Sequence, residues 1–256
     1  MNINDSAFYI EVVIIMKISN EQKLINRQKI IKTAVDLIIE GGYKATTMRG
    51  IAKKAGFGDA TIYNYFPTKE SILFAYYEVR LNETVEKLKG IADFNEYSIN
   101  EQLQTFFHIQ LDLFLDDREF VQISFKKIFL TLNQNDKQIK KIRDLFRVVI
   151  KDIFDAASEA EEIPPQIFEE IIFHLVWDYY LGIVFFWLKD TSEQFNETTI
   201  LLDRSLDLIC SVLESGVVNK AFDLASYFFK NHILSKMDSF SGHKETFNII
   251  KRKFME

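Results

Sequence analysis

The side chains best suited to hydrogen-bonding chemistry lie together in one short stretch, residues 46–72, with the sequence TTMRGIAKKAGFGDATIYNYFPTKESI. Hydroxyl, amide and phenol groups follow one another there. Gly56, Gly58 and Pro67 divide the stretch into a short helix, a turn and a second short helix. Two such helices form a helix-turn-helix, whose second helix can enter the major groove of DNA. The stretch therefore predicts contacts to double-stranded DNA.

The expected contacts fall into two groups, because phosphate contacts supply affinity and base-edge contacts supply sequence choice. The residues expected at phosphates are Thr47, Thr61, Tyr65 and Lys69, with Arg49, Lys53 and Lys54 adding positive charge nearby. The residues expected at base edges are Asp59, Ala60, Tyr63 and Asn64. An asparagine can pair with adenine through two hydrogen bonds, and a carboxylate can accept one from cytosine. Two alternatives stay open: Asp59 could cap the second helix, and Tyr63 could be a packing residue.

The charge distribution supports this interpretation. Residues 17–70 carry ten Lys or Arg and five Asp or Glu, whereas the whole chain has a net charge of −6. A basic end on an acidic body is expected of a protein that touches phosphate with one part only. The alternative is a chance clustering of solvated lysines.

Three helices must position these side chains. Ile30, Ala34, Leu37 and Ile38 follow helical spacing, and the Gly41-Gly42 pair ends that first helix. The second helix begins at Thr46 or Thr47, whose hydroxyl can cap it, and carries a thin apolar seam of Ile51, Ala52 and Ala55. The recognition helix runs over residues 59–66 with Ile62 and Phe66 inward, Pro67 ends it, and Thr68 caps the helix of residues 69–89.

The remainder reads as long helices separated by acidic and polar breaks. They are predicted at about 99–115, 118–133, 136–160, 165–189, 197–214, 219–237 and 243–254. No convincing period-two strand is present in the sequence. The predicted fold class is all-α, with a small N-terminal bundle of three helices followed by a larger helical bundle.

The segment from Arg27 to Leu73 resembles the tetracycline-repressor (TetR) family of bacterial transcription regulators. The matching positions are Ile31, Ala34, Leu37 and Gly42; Thr46, Thr47, Ile51, Ala52, Ala55 and Gly56; and Ala60, Thr61, Ile62, Tyr63, Tyr65, Phe66, Lys69, Glu70 and Leu73. The segment covers about a fifth of the chain, and several fixed spacings hold at once. Phe57, Gly58, Ala60 and Gly50 depart from the family's frequent residues, which affects the base preference rather than the fold.

The sequence and the resemblance together predict four parts, the last of which extends beyond the core that the resemblance implies. These are an N-terminal extension (1–16), the helix-turn-helix DNA-binding domain (17–70), a helical ligand-binding and dimerisation domain (71–216) and additional C-terminal helices (217–256). We expect residues 1–15 to be disordered or loosely docked. We expect the helices after Gly216 to pack over the dimer seam or to cover the ligand pocket.

The resemblance also implies a homodimer that represses from a palindromic operator and is released by a small-molecule effector. The dimer would form through the helices at 165–189 and 197–214, and Leu202, Leu206, Ile209 and Leu213 follow helical spacing on the second of them. The alternative is that both are interior helices of a monomer. A second candidate function is a helical scaffold or partner-binding protein that no longer reads DNA.

An aromatic-rich effector pocket is expected in the body, favouring a flat or lipid-like molecule. The main candidates to line it are Phe107, His108, Phe129, His174, Trp177 and Asp178, with Phe106, Phe114, Phe125, Tyr180, Phe185 and Trp187 as further candidates. The alternative for the aromatic residues is ordinary core packing. His174 and Asp178, four residues apart, could orient a polar ligand group or form a satisfied buried pair at the dimer seam.

Other classes find little support. The single cysteine, Cys210, excludes an intramolecular disulfide and is expected to be buried and inert, and neither a metal site nor a cofactor is predicted. The chain lacks the phosphate-binding, metalloprotease and nucleophile-elbow motifs of common enzymes. Residues 171–188 have the length of a membrane span, yet His174 and Asp178 interrupt them and favour a buried helix. We therefore expect a cytoplasmic, non-enzymatic protein that does not enter a membrane.

Overall fold

The computed structural model describes residues 3–131, 137–165 and 169–228, and these residues are helical without any strand. Its α-helices are α1 (Ile3–Ala45), α2 (Met48–Ala55), α3 (Asp59–Tyr65), α4 (Lys69–Lys89), α5 (Ile99–Leu115), α6 (Arg118–Phe125), α7 (Lys137–Glu159), α8 (Glu169–Lys189), α9 (Asn196–Glu214) and α10 (Val217–Phe228). A π-helical segment, Lys126–Thr131, continues α6. The predicted all-α class is confirmed.

The N-terminal bundle forms where its local signals predict. Gly42 has φ 80° and ψ 160° and breaks the regular geometry of α1 close to its end. The Thr47 hydroxyl accepts a hydrogen bond from the Gly50 backbone N–H and caps α2. Gly56 ends α2 in the left-handed conformation at φ 77°, which glycine adopts without a steric penalty. Ile30, Ile51 and other inward side chains of α1 and α2 are buried, as their spacing predicts.

Helix α4 connects this bundle with the body. Thr68 and Ser71 form a reciprocal capping box at its start, and the helix then runs without a break to Lys89. Buried residues lie along most of its length, and one continuous apolar core joins both parts of the molecule. The predicted domain boundary after residue 70 therefore falls in the first turn of a helix that both domains share.

The body packs around α4 and α5. Helix α4 contacts α5 and α7, α5 contacts α9, and α8 lies between α7 and α9. The turn between α8 and α9 is held by two charged side chains. Arg118 donates to the carbonyl oxygens of Trp187, Leu188 and Asp190, and the Asp190 carboxylate accepts from Ser192 and from Thr198 at the start of α9.

Most helix predictions agree with the structure, and three differ in extent. Helix α1 begins at Ile3, so its backbone includes most of the predicted 1–16 extension. The helix expected at 118–133 changes from α to π geometry at Lys126. Of the two helices predicted after Gly216, α10 is described as far as Phe228, and the helix at 243–254 lies outside the described residues.

The centre of the body is a close-packed set of aromatic rings. Phe106, Phe107, Phe146, Trp177 and Tyr180 are all buried, with ring centroids of neighbouring pairs 5.0–6.4 Å apart. Many of these pairs are tilted or edge-to-face, the arrangement that aromatic quadrupoles favour.

Helix α8 is the one described helix that has the length and hydropathy of a membrane span. Less than half of its most apolar window, 44%, is buried inside the protein. Core helices of soluble proteins pass the same test of length and composition, so this is weak evidence for a span.

Cys210 is buried on the inner face of α9, as the apolar pattern predicts. Burial raises the pKa of its thiol to about 12. The thiolate, which is the reactive form, is therefore disfavoured at neutral pH.

Candidate nucleic-acid interface and effector cavity

The outward face of α3 carries the side chains predicted at base edges. Asp59, Ala60, Tyr63 and Asn64 are exposed, while Ile62 between them is fully buried. Tyr63 is 50% exposed, which favours the predicted base-edge role over the packing alternative. A short helix with a buried inner side and polar groups outside matches the geometry that groove recognition needs.

Asp59 does not cap the helix. Gly58 occupies the cap position in an extended conformation and Asp59 is the first helical residue, which corrects the capping alternative. The Asp59 carboxylate instead lies 3.4 Å from the Arg49 Nε atom of α2. Both side chains are exposed, so this ion pair contributes little stability and leaves Arg49 able to turn toward a phosphate.

The hydroxyl groups predicted at phosphates are placed at the edge of this face. Thr47 is exposed, and because its hydroxyl accepts from the Gly50 N–H, the hydroxyl hydrogen remains able to donate to a phosphate oxygen. Thr61 is half-buried. Tyr65 is also half-buried, with its ring against Phe57 and its hydroxyl accepting from the Asn26 amide of α1.

Of the three predicted positive charges on α2, only Lys53 lies outside the ion pairs that the structure shows among the described residues. Lys54 lies 2.7 Å from the carboxylate of Glu40 on α1, so its charge is largely offset. Lys53 is exposed, and Arg49 shares only the loose contact with Asp59.

Lys69 makes contacts within the protein that the sequence did not predict, and its phosphate contact stays a prediction. Its ammonium group donates to the carbonyl oxygens of Tyr43 and Thr46 near the end of α1, and it lies 3.9 Å from the centroid of the Tyr43 ring. Burial lowers the pKa of Lys69 from its ordinary value. The side chain therefore ties the start of α4 to the end of α1, and in this conformation it does not reach outward to a phosphate.

A second contact joins this point to the body. The Tyr43 hydroxyl donates to the Glu70 carboxylate, and the Lys127 ammonium of the π-helical segment lies 3.9 Å from the same carboxylate and 4.5 Å from the Tyr43 ring. The hydrogen bond from Tyr43 lowers the pKa of Glu70. We call Tyr43, Lys69, Glu70 and Lys127 the junction cluster. These residues lie on three segments that are far apart in the sequence. Their contacts therefore could not be predicted from the sequence.

The predicted aromatic effector pocket is largely filled. Phe107, Phe129 and Trp177 are buried among other rings, with Phe129 6.0 Å and Phe146 5.2 Å from Trp177. This packing favours the alternative of an ordinary core for these three residues. His108 lies at the surface beside a small cavity of about 160 Å³.

His174 and Asp178 are both exposed on the surface of the subunit, so their burial as a pair at the dimer seam stays a prediction. The His174 Nδ1 atom lies 2.6 Å from the Glu170 carbonyl oxygen and not on Asp178. No group of three potential metal ligands is present within the described ranges.

A cavity of about 800 Å³ lies instead between the second half of α4, the turn that follows it, and α7. Its apolar walls include Val85, Leu88, Leu145, Val149 and Ile153. Its rim carries charged groups, namely Glu86, Lys89, Asp93, Glu96 and Asp152. The sequence analysis did not predict this cavity because it considered aromatic residues of the later helices, whereas the apolar walls here are mostly aliphatic, with Phe94 as the aromatic residue in the lining.

Helices α8 and α9 carry outward apolar faces. The exposed members are Ile171, Leu175, Phe185 and Phe186 on α8, and Ile200, Leu201, Leu208 and Val212 on α9. Leu175 is 62% and Leu208 65% exposed. The residues cited from the sequence for the seam, Leu202, Leu206 and Leu213, are buried within the subunit, and Ile209 is partly buried against the same core. Helices α8 and α9 thus have an exposed apolar surface, but its residues are not the four that the sequence analysis cited.

Comparison with known proteins agrees with this architecture. A family model described as "Bacterial regulatory proteins, tetR family" matches residues 30–76, and one described as "Tetracyclin repressor-like, C-terminal domain" matches residues 102–228. The fatty acid metabolism regulator protein of Bacillus subtilis is 26% identical over 211 residues, which cover 78% of this chain and all of that protein.

Solved structures share the fold. A putative TetR-family regulator from Syntrophomonas wolfei aligns with a TM-score of 0.60 at 18% identity, covering 75% of this chain and 96% of that one. FadR from Bacillus subtilis in complex with stearoyl-CoA aligns with a TM-score of 0.56 at 21% identity, covering 74% and 98%.

The two family models together span more than half of the chain, and the matched segments coincide with the helix-turn-helix and with most of the helical body. The related proteins are regulators rather than enzymes. This chain is a DNA-binding transcriptional regulator and belongs to the TetR family.

Proposed function

We propose that the protein acts in the cytoplasm as a homodimeric repressor that binds a palindromic operator and is released by an apolar effector. The observation that carries this proposal is the shared helix α4. Its first turn belongs to the junction cluster, while its last turns line the 800 Å³ cavity. A ligand that moves the second half of α4 would therefore act on the DNA-binding bundle.

The DNA-facing surface supports the first half of the proposal. The exposed side chains of Tyr63 and Asn64 would meet base edges, and Thr47 and Arg49 would meet phosphates. A single α3 reads only a short half-site. A dimer places two such helices in successive major grooves about 34–36 Å apart, and its twofold symmetry requires a palindrome.

The cavity supports the second half. Its aliphatic walls and charged rim suit a molecule with an apolar body and a polar end. The related FadR of Bacillus subtilis has been solved with stearoyl-CoA, so long-chain acyl thioesters are the first class to test. The effector must bind the DNA-released conformation more tightly than the DNA-bound one, because a ligand shifts an equilibrium only toward the state for which it has the higher affinity.

A mobility-shift assay with the DNA upstream of the protein's own gene tests the proposal. We expect salt-sensitive, sequence-selective binding that Tyr63→Ala and Asn64→Ala each weaken by roughly 5- to 150-fold. Tyr227→Ala, which removes a tyrosine of α10 that is 64% exposed against 50% for Tyr63, is the control and should leave binding unchanged. A folded dimer that shows no selective binding at low salt would favour the scaffold function instead.

A further inference from the structure

Two unpaired charges interrupt the outward apolar faces of α8 and α9. Asp178 is exposed in the middle of the α8 face, with Leu175 one turn before it and Phe185 two turns after it. Arg204 is exposed on α9, between Leu201 and Leu208. Neither side chain has an ion-pair partner among the described residues. Each is thus a charge without an ion-pair partner among exposed apolar residues, with exposed His174 one turn from Asp178 and exposed Asp207 one turn from Arg204.

The two charges lie at the same level along the helices. Helices α8 and α9 are consecutive, joined by a short turn, and packed against each other, which makes them antiparallel neighbours. The hydroxyl groups of Tyr179 and Ser205 are hydrogen-bonded at 2.6 Å and fix the register of the pair. Asp178 precedes Tyr179 and Arg204 precedes Ser205, so the acid and the base stand side by side on one surface.

This level is also the middle of the surface. The exposed apolar residues of α8 run from Ile171 to Phe186, and those of α9 run from Ile200 to Val212. Asp178 lies close to the midpoint of the first set, and Ser205 lies close to the midpoint of the second. A twofold axis through the centre of the surface would bring this level of one subunit opposite the same level of another.

We propose that Asp178 of one subunit pairs with Arg204 of a second copy of this chain, and that the two symmetric pairs decide which subunits dimerise. The proposal rests on the homodimer proposed above and names the residues that set its register and partner. A second copy is the fitting occupant because each subunit supplies one acid and one base at the same level. Twofold pairing then matches both charges at once.

Physical reasoning favours a role in specificity. Dimer formation would remove Asp178 from water, and an unpaired buried carboxylate is strongly unfavourable. His174, one turn earlier, makes no ion pair with Asp178 among the described residues, and its Nδ1 atom lies against the Glu170 carbonyl oxygen. A buried ion pair adds little net affinity compared with apolar groups, but a mismatched charge is costly. The pair therefore mainly disfavours dimers in which the helices are shifted along each other and dimers with other proteins, since these would leave a charge unmatched.

A charge-exchange experiment on the full-length protein tests this. Wild type, Asp178→Arg, Arg204→Asp and the double variant would be compared by sedimentation velocity, and circular dichroism would verify folding. We expect each single variant to weaken its own homodimer by at least about 100-fold, because like charges then face each other. The double variant should recover most of the loss.

Mixing the two single variants is the decisive arm. One subunit then carries two arginines at this level and the other carries two aspartates, so every cross-subunit contact is attractive only in the heterodimer. We expect differently tagged Asp178→Arg and Arg204→Asp chains to co-sediment as a dimer, although neither dimerises alone. A pair within one chain cannot give this result, because each chain would still hold two like charges.

A control variant and two contrary results complete the test of the ion pair. Glu21→Arg changes an exposed acid on α1 of the DNA-binding bundle, away from the α8 and α9 faces, and should leave the dimer intact. Single variants that dimerise like a dimeric wild type, or a mixture that remains monomeric, would overturn the ion pair and leave the homodimer standing. A monomeric wild type at micromolar concentration would overturn both.

Discussion

The two halves of α4 differ in how firmly they are held. The first turn is fixed by charge-assisted contacts, with Lys69 on two carbonyl oxygens and Glu70 between Tyr43 and Lys127. The last two turns, from Asn82 to Lys89, border open space in the 800 Å³ cavity. A helix that is anchored at the DNA side and has room to move at the other end can pass on a displacement as a rigid element.

The largest effect is expected from a substitution that fills the cavity beside the second half of α4. Val148→Trp on α7 would place a large ring against the rim, since Val148 lines the cavity and is 56% exposed. We expect operator binding without effector to persist and the effector concentration for half-release to rise by at least about tenfold, because the ligand loses its space. Mobility shifts over an acyl-CoA titration would measure this. Ile123→Trp, on exposed α6 surface, is the control, and an unchanged response in Val148→Trp would place the effector elsewhere.

A substitution at Lys69 tests whether its contacts hold the first turn of α4. Lys69→Met leaves the carbonyl oxygens of Tyr43 and Thr46 without their donor. We expect a loss of about 2 kcal/mol of unfolding free energy, since hydrogen bonds to charged groups contribute about 1.5–3 kcal/mol. Thermal unfolding should register it as a fall in Tm. Lys53→Met removes an exposed lysine and should change stability by less than about 0.5 kcal/mol; equal effects of the two variants would contradict the anchoring role.

A smaller effect is expected from Tyr43→Phe, which tests one hydrogen bond of the junction cluster. Tyr43→Phe keeps the ring under Lys69 and Lys127 and deletes only the hydroxyl that donates to Glu70. We expect a loss of about 1 kcal/mol, the usual net value of a single hydrogen bond. Denaturant unfolding with an unchanged m-value would confirm a purely local effect. No loss of stability would show that the hydroxyl contact is replaceable by water.

The smallest expected effect is a dependence on pH. The hydrogen bond from Tyr43 holds the pKa of Glu70 below its ordinary value of 4.5. A carboxyl group with a lowered pKa in the fold binds fewer protons folded than unfolded, so its stabilisation is present above pH 4.5 and is lost as pH falls through the folded pKa. We therefore expect wild type to lose more Tm than Glu70→Gln between pH 6 and pH 3.5. Parallel curves for the two proteins would exclude this contribution.

The helix-turn-helix could be predicted from sequence because its signals are local. Gly42, Thr47, Gly56 and Thr68 each act within a few residues, and the structure places each in its expected role. The exposed face of α3 follows from the inward position of Ile62 at helical spacing. Such features need no knowledge of distant segments.

Lys69 and the cavity could not be predicted in the same way. The sequence places Lys69 after a helix cap near the predicted DNA surface, yet its ammonium donates to carbonyl oxygens near the end of α1 and directly after it, 26 and 23 residues away. The aromatic residues of the body were candidates for a pocket, but tertiary packing closes them on one another. Helical spacing identifies an apolar face, and only the fold decides whether that face meets a neighbour, a cavity or solvent.

The π-helical segment has a consequence for how the chain can tolerate insertions and deletions. A π turn holds about one residue more than an α turn, so it resembles a single-residue insertion within a helix. Within this segment Lys127 reaches Tyr43 of the DNA-binding bundle and Phe129 reaches Trp177 of the body core. Deleting Ile128 would turn the two sides against each other by about 100°, the angle between successive residues of an α-helix. The two contacts could not then both survive, so the Lys127 contact between the bundle and the body, which adds to the shared helix α4 and the continuous core, depends on the number of residues in this segment.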